Sequence, residues 1–288
     1  MNRKPMIDGI MCSVGGNSIE SILDNNALSY ISKNGDDQLE AKYKGLIITF
    51  IKKTYRCYIR GSIHKFKNEG VHNADLFTYQ DFVSATSKLA TELNVVVEDL
   101  YIIRFEIGIS IPLSLPTHEY INCISEVNNL IPTEKKKRSI LLRYTQYDVK
   151  IYSKSNIYRE FKSKNIIRVE ISYKKKQKIT QDIWKLYTLK DLLNVNLWTR
   201  IANILDKLIS KIAFFDFSEM KNVKLERKEE RVFYEWSNPV RIMQEVNRSK
   251  VCKMRKRVNQ IYNKYAKNMK ANELVNTAKF RLKQCLNF

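Results

Sequence analysis

The 288-residue sequence lacks a long hydrophobic run. No apolar stretch approaches the roughly 20 residues that a membrane-spanning helix needs. Near the N-terminus, Arg3, Lys4 and Asp8 interrupt the apolar positions, which is not the pattern of a secretory signal peptide. The sequence therefore predicts a soluble intracellular protein without a membrane partner.

Cysteine is also scarce. The five cysteines are widely separated and form neither the close pairs of a zinc site nor the dense pattern of a disulfide-linked secreted domain. They are Cys12, Cys57, Cys123, Cys252 and Cys285. We expect all of them to be reduced thiols. The sequence also shows no internal repeat.

The net charge is strongly positive. Lys and Arg total 51 and Asp and Glu total 30, which gives a formal charge of +21 and an isoelectric point near 9.7. A field of this sign attracts polyanions, so nucleic acid is the expected partner. Two alternatives stay open: a basic composition that reflects the codons of an AT-rich genome, and binding to an anionic membrane surface.

Segments typical of strands dominate the first part of the chain. Each is rich in β-branched and aromatic residues, and they are Gly45 to Ile51, Tyr55 to Phe66, Tyr101 to Ile111, Tyr147 to Lys154 and Ile166 to Tyr173. Apolar residues at helical spacing predict helices at Tyr79 to Leu93 and Thr117 to Leu130. This order predicts an α+β fold in which one antiparallel sheet is packed by helices on one face.

The pattern becomes helical after Ile179. Leucine and isoleucine recur at helical spacing from Leu186 to Ile212, and a helix with a basic face covers Lys250 to Tyr265. The run of three lysines that ends at Lys176 is the candidate boundary. We therefore predict an α+β domain at 1–176 and a mainly helical, basic C-terminal region at 177–288.

Side chains alternate across a strand, and this alternation gives several of the predicted strands one polar and one apolar face. Arg104 and Glu106 share the polar face of one strand, and Arg168 and Glu170 repeat this Arg-x-Glu pattern in another. If all the apolar faces lie against the helices, the opposite face of the sheet collects a set of reactive groups. This set is His64, Glu106, Tyr152, Lys154 and Glu170.

These residue types suit phosphodiester chemistry. Carboxylates and a histidine are ligands for a hard divalent ion such as Mg²⁺ or Mn²⁺, which can polarise a phosphodiester. A tyrosine hydroxyl titrates near pH 10, so a nucleophilic Tyr152 needs a metal or a cation such as Lys154 to favour its phenolate. The structural alternative is that Arg-x-Glu forms ordinary cross-strand salt bridges and that the tyrosine only packs.

A series of short motifs lies between Cys57 and Tyr173. In order they are a Cys-containing strand, His72-Asn73, a helix ending near Leu93, Ile103-Arg104-Phe105-Glu106, a proline-containing turn with the helix around Tyr120 to Val127, Val149-Lys150-Ile151-Tyr152-Ser153-Lys154, and Ile167-Arg168-Val169-Glu170-Ile171. This order resembles the replication initiators of filamentous phages and related rolling-circle plasmids. Residues 149–154 resemble the family's segment with the nicking tyrosine, and residues 167–171 resemble its Arg-x-Glu strand.

The resemblance implies a nickase that cleaves one strand at a replication origin, leaves a 5′-phosphotyrosine and a free 3′-OH, and later rejoins the strand. It implies Tyr152 as the nucleophile and Mg²⁺ or Mn²⁺ as the cofactor. The implied metal ligands are Glu106 and Glu170, with His64 and His72 as weaker candidates. Many such initiators carry a His-hydrophobe-His metal motif that this sequence lacks. The nearby Tyr144, Tyr147 and Tyr158 stay open as alternative nucleophiles.

DNA of an origin, single-stranded or supercoiled, is then the expected partner in the cytoplasm of a host cell. Host replication proteins are further expected partners, and a homodimer stays open. The residues predicted to contact DNA are Arg104, Arg168, Lys253, Arg255, Lys256 and Arg257. The main alternative is a plasmid or phage initiator or copy-control protein that binds DNA without catalysis. A membrane-peripheral basic protein is a second alternative, which would need a larger apolar helix face than this sequence offers.

Overall fold

The computed structural model describes residues 7–34, 37–73, 77–155, 164–237 and 244–286. The strands are β1 (Ile7–Val14), β2 (Tyr30–Lys33), β3 (Gln38–Tyr43), β4 (Leu46–Ile51), β5 (Arg56–Ser62), β6 (Leu100–Pro112), β7 (Ile124–Val127), β8 (Glu134–Lys136), β9 (Ser139–Arg143), β10 (Tyr147–Ser153), β11 (Ile166–Tyr173) and β12 (Ile212–Phe214). The helices are α1 (Ser18–Leu23), α2 (Ile63–Lys67), α3 (Tyr79–Leu93), α4 (Thr117–Cys123), α5 (Lys176–Asp182), α6 (Val195–Ile209), α7 (Phe217–Met220), α8 (Arg227–Trp236), α9 (Arg248–Tyr265) and α10 (Met269–Leu286).

One large sheet organises the chain. Its ten strands follow the order β2-β3-β4-β5-β1-β6-β11-β10-β9-β8, and all neighbouring strands run antiparallel. The strands β7 and β12 pair in a small second sheet. The predicted α+β class, with one antiparallel sheet and a helical C-terminal region, is confirmed.

The large sheet consists of two halves with the same order of elements. In the first half β1 is followed by α1, the meander β2 to β5, and the helices α2 and α3. In the second half β6 is followed by α4, the meander β8 to β11, and the helices α5 and α6, with β7 as an addition. The two leading strands β1 and β6 pair at the centre, and each is flanked by the last strand of its own meander. The fold therefore repeats an arrangement of elements that the sequence does not show as a repeat.

The central strand β1 was not expected from the sequence. Ile7 and Ile10 are both buried although they are three residues apart, because the register with β6 shifts between them. This shift breaks the strict alternation by which a strand is recognised in a sequence.

Two predicted elements end earlier than expected. The strand predicted at Tyr55 to Phe66 stops at Ser62, whose Oγ accepts a hydrogen bond of 3.2 Å from the amide of Lys65 and so caps α2. The helix predicted at Thr117 to Leu130 ends at Cys123. The next residues, Ile124–Val127, form β7 because they pair with β12.

The apolar face of the sheet and the helices share one hydrophobic core. Buried residues from α3, α5, α6 and α10 join those of the strands in a single cluster. A second cluster joins α8 and α9 around Phe233, Trp236 and Tyr262. The predicted boundary at residue 176 coincides with the first residue of α5, but the core of the sheet continues across it. No helix in the described ranges is long and apolar enough to cross a membrane.

The role of α10 in the core can be tested with a matched pair of substitutions. Leu274 is fully buried in the same cluster as the strands, whereas Phe280 of the same helix is 56% exposed. We expect Leu274→Ala to lower the free energy of unfolding by about 2–5 kcal/mol in urea titrations. Phe280→Ala is expected to change it by about 0.5 kcal/mol or less. Equal effects would show that α10 does not belong to the core of the sheet.

Candidate functional site

A cleft of about 840 Å³ lies on the face of the sheet opposite the core. Its walls come from β1, β5, β6, β10 and β11 and from Asn73 and Lys174 in loops. No residue of a described helix lines it. Four of the predicted site residues, Arg104, Glu106, Tyr152 and Glu170, line this cleft together.

Arg168 occupies the buried end of the cleft. Its side chain is 0% exposed, and on the sheet it lies opposite Tyr152 of β10 and Ser110 of β6. Its Nε donates a hydrogen bond of 2.7 Å to Glu170 Oε1, its Nη1 one of 3.1 Å to Ser110 Oγ, and its Nη2 one of 3.0 Å to Asp8 Oδ2. Every nitrogen of the guanidinium therefore has a partner, as a buried cation requires.

Gly108 makes room for this arrangement. A Cβ atom at position 108 would lie 2.6 Å from Glu170 Cγ and 3.1 Å from Arg168 Nη2. Any side chain at this position of β6 would push the ion pair out of its place.

Asp8 is the second anion beside Arg168. Its Oδ1 accepts hydrogen bonds from Asn73 Nδ2 at 2.9 Å and from Ser62 Oγ at 3.3 Å. Burial alone would raise the pKa of Asp8, but the charges of Arg168 and Lys154 outweigh it and hold this pKa well below the usual value of 3.8. Asp8 is therefore an anion at neutral pH.

Tyr152 and Glu170 are in direct contact within the cleft. The hydroxyl of Tyr152 donates a hydrogen bond of 2.8 Å to Glu170 Oε1, the same oxygen that accepts from Arg168 Nε. Burial raises the pKa of Glu170, and the neighbouring charge of Asp8 raises it further, against the attraction of Arg168. Burial and the charge of Glu170 also raise the pKa of Tyr152, so the phenol keeps its proton at neutral pH. A hydroxyl, a carboxylate and a guanidinium group are thus joined by hydrogen bonds, an arrangement that a nucleophile, a base and a group orienting the base would require.

Glu106 belongs to a neighbouring group on the same face. Its Oε1 accepts hydrogen bonds of 3.0 Å from Lys150 Nζ and 2.6 Å from Ser172 Oγ. At the rim, Lys174 Nζ donates to Asp148 Oδ1 at 2.8 Å. The acidic side chains of the cleft are therefore paired with cations.

Lys154 follows β10 and is buried. Its Nζ donates a hydrogen bond of 2.9 Å to the carbonyl oxygen of Asn73, and its charge lowers the pKa of Asp8. The predicted role of Lys154, to favour the phenolate of Tyr152, stays a prediction. Arg168 is a cation that lowers the pKa of Tyr152.

The residues that the resemblance implies as metal ligands do not form a ligand set. Glu170 is engaged by Arg168 and Tyr152, and Glu106 by Lys150 and Ser172. His64 is buried in α2 with its ring stacked on Phe77 at 4.5 Å, and His72 lies in a turn beside Asn68. Across the described ranges, no three His, Cys, Asp or Glu side chains are grouped as a metal site. These residues do not fit a bound Mg²⁺ or Mn²⁺.

The residues predicted to contact DNA divide into exposed and buried ones. Arg104 is exposed at the cleft, and Lys253, Lys256 and Arg257 are exposed on α9. The prediction for Arg168 needs correction, because this side chain is inaccessible and holds Asp8 and Glu170. Arg255, with a side chain 15% exposed, forms an ion pair of 3.0 Å with Glu126, and its contact with DNA stays a prediction.

Two of the alternative nucleophiles, Tyr144 and Tyr147, do not line the cleft. Tyr144 and Tyr147 stack on each other at 4.4 Å where β9 turns into β10, and burial raises the pKa of Tyr147 to about 12. Tyr158 lies outside the described residues.

Asp8, Asn73 and Ser110 hold the buried end of the cleft, and none of them is among the site residues predicted from the sequence. In the sequence, Asp8 stands out only as an interruption of an apolar N-terminus. The signal that could have identified it is an acidic residue within the strand-like run Ile7 to Val14, since a carboxylate there needs a buried partner.

We expect the loss of one charge from the buried network of Asp8, Arg168 and Glu170 to destabilise the protein. We expect Asp8→Asn to lower the free energy of unfolding by about 3 kcal/mol or more at pH 7, because it leaves Arg168 with one anion fewer. Glu98→Gln is the matched control, and it should destabilise the protein far less, because the side chains of the Lys190–Glu98 pair are 58% and 51% exposed. Because the pKa of Asp8 is lowered on folding, its contribution in the wild type should be lost as the pH falls below 3.8. Urea titrations at several pH values measure both effects, and equal losses in the two variants would contradict the network.

Searches against protein-family models, curated proteins and solved structures find no significant match to this chain.

Proposed function

We propose that this chain is a DNA-binding replication initiator of the rolling-circle type, which nicks one strand by attack of Tyr152. The observation that carries the proposal is the contact of the Tyr152 hydroxyl with Glu170, which Arg168 orients from the other side. The contact lies in an open cleft of a protein with a net charge of +21, which favours a polyanionic substrate.

The chemical step can be written with the groups of the chain alone. Tyr152 Oη attacks the phosphorus of a DNA phosphodiester and forms a new P–O bond, while the bond from phosphorus to the 3′-oxygen breaks. The phenolic proton passes to Glu170, whose raised pKa suits it as a base. The 3′-oxygen leaves and takes a proton from water. The products are a 5′-phosphotyrosine and a free 3′-OH.

The same groups support rejoining. The 3′-OH gives its proton back to the solvent and attacks the phosphotyrosine, the bond from phosphorus to Tyr152 Oη breaks, and Glu170 returns its proton to the tyrosine oxygen. One ester replaces another in each direction, so no external energy source is needed. Arg168 keeps Glu170 within hydrogen-bond distance of Tyr152 in both directions and acts as a positioning residue.

The reaction can be tested with supercoiled and single-stranded DNA of the protein's own replicon. The assay includes Mg²⁺ or Mn²⁺, because the resemblance implies one of them. We expect the wild type to nick the DNA and to remain attached to the 5′ end. Tyr152→Phe should still bind DNA but form no nick and no adduct, since only the hydroxyl is removed.

Tyr144→Phe and Tyr147→Phe serve as controls and should nick like the wild type. Loss of nicking in Tyr158→Phe with full activity in Tyr152→Phe would mean that the reaction is right and the tyrosine wrong. If the wild type binds origin DNA but forms no adduct, the DNA-binding initiator without catalysis becomes the better account.

The role of Glu170 can be separated from that of Glu106. Glu170→Gln keeps an oxygen for the hydrogen bond but takes up no proton, so single-turnover nicking should slow by about 100-fold or more. Glu106→Gln, a neutral change on the same face, should slow it by less than about tenfold, because Glu106 has no contact with Tyr152 among the described contacts. The opposite ranking would contradict the assignment of Glu170 as the base and favour the implied metal role of Glu106.

A further inference from the structure

A row of aromatic side chains crosses the three central strands on the open face of the sheet. Ser13 of β1 lies opposite Tyr58 of β5 on one side and opposite Tyr101 of β6 on the other. Residues that lie opposite each other on neighbouring strands project to the same face. The two tyrosines therefore lie in one row, two strand spacings or roughly 10 Å apart. Tyr58 is half-buried and Tyr101 is 42% exposed.

A row of guanidinium groups runs beside the tyrosines. Met11 of β1 lies opposite Arg60 on β5 and opposite Arg104 on β6. All three residues line the same cleft as Tyr152, and both arginines are exposed. The register shift between Met11 and Cys12 keeps Tyr101 on this face, since it leaves Ile103 as the extra residue of β6. The two rows are therefore adjacent on one continuous surface.

The charges of this surface favour an anion at the arginines. The carboxylates of the cleft are neutralised locally, Glu106 by Lys150, Asp148 by Lys174, and Asp8 and Glu170 by Arg168 together with Lys154. Arg60 has a side chain 52% exposed and only a long contact of 3.8 Å with Glu40. Arg104 has no ion pair in the part of the chain that the structure describes. Two solvated guanidinium groups thus remain beside two aromatic rings.

We propose that this face binds single-stranded DNA, with bases stacked on Tyr58 and Tyr101 and phosphates held by Arg60 and Arg104. Aromatic rings bind bases through the flat faces of the bases, which are exposed in a single strand and covered by stacking in a duplex. Guanidinium groups match the phosphates between such bases. The surface continues into the cleft at Tyr152, so a DNA strand bound here can extend to the hydroxyl of Tyr152. The approach of the bound strand to a nucleophilic Tyr152 rests on the proposed function, whereas the binding of single-stranded DNA to this face does not.

The surface can be tested by fluorescence anisotropy, which measures the affinity for a labelled oligo(dT) about 12 nucleotides long. A mixed-sequence duplex of the same length is measured for comparison. We expect Tyr58→Ala combined with Tyr101→Ala to weaken oligo(dT) binding by about 30-fold or more and duplex binding by less than about twofold. Tyr234→Ala, which removes a tyrosine 56% exposed on α8, should change neither.

The arginines are tested in the same assay at several salt concentrations. Arg60→Ala combined with Arg104→Ala should lower the slope of log affinity against log salt by about 0.7 for each lost phosphate contact. Lys207→Ala combined with Lys211→Ala removes the same charge from exposed positions around the end of α6, on the helical side, and should leave the slope nearly unchanged.

Conservative variants keep the test decisive if an alanine variant does not fold. The double Tyr→Phe variant at residues 58 and 101 should bind oligo(dT) like the wild type, whereas the double Tyr→Leu variant, which keeps apolar bulk without a ring, should bind weakly. Oligo(dT) binding that is unchanged in the Leu variant overturns the proposal. Equal losses for oligo(dT) and duplex overturn the preference for single strands.

Failure of the nicking reaction is recognised separately. If the wild type forms no covalent adduct but binds oligo(dT) through Tyr58 and Tyr101, the proposed function fails and this inference stands.

Discussion

The buried guanidinium of Arg168 is the constraint on which the cleft depends. A cation without solvent costs several kcal/mol unless anions and hydrogen-bond acceptors surround it. Asp8, Glu170 and Ser110 meet this demand only while β1, β6 and β11 keep their present order and register. The same contacts fix the carboxylate of Glu170 beside the hydroxyl of Tyr152. The buried contacts of Arg168 thus both stabilise the central sheet and fix the geometry of the candidate site.

The cleft also depends on the junction of the two halves of the sheet. Asp8 comes from the leading strand of the first half, and Arg168, Glu170 and Tyr152 come from the second. Helices cover one face of the sheet and form the core, so the polar side chains of the strands collect on the other. The open face therefore combines a buried charged network at one end with exposed arginines and tyrosines over β5, β1 and β6.

Local patterns predicted part of this structure, and long-range contacts determined the rest. Alternation within a strand is local, and for this reason Glu106, Tyr152 and Glu170 could be assigned to one face from the sequence. The burial of Arg168 could not be predicted, since its partner Asp8 is 160 residues away in the chain and lies in a strand with an interrupted alternation. The same reason explains β7, because residues 124–127 continue a helical pattern and become a strand only through pairing with β12.

The central claim is that the oxygen of Tyr152 becomes bonded to DNA. Its most direct test is the isolation of the protein–DNA adduct after reaction with origin DNA, digestion of both components, and mass spectrometry of the modified peptide. We expect the nucleotide phosphate on the peptide that contains Tyr152, in the wild type and in Tyr158→Phe. A phosphate on Tyr158, on Tyr147, or on any other residue than Tyr152 would contradict this account of the cleft.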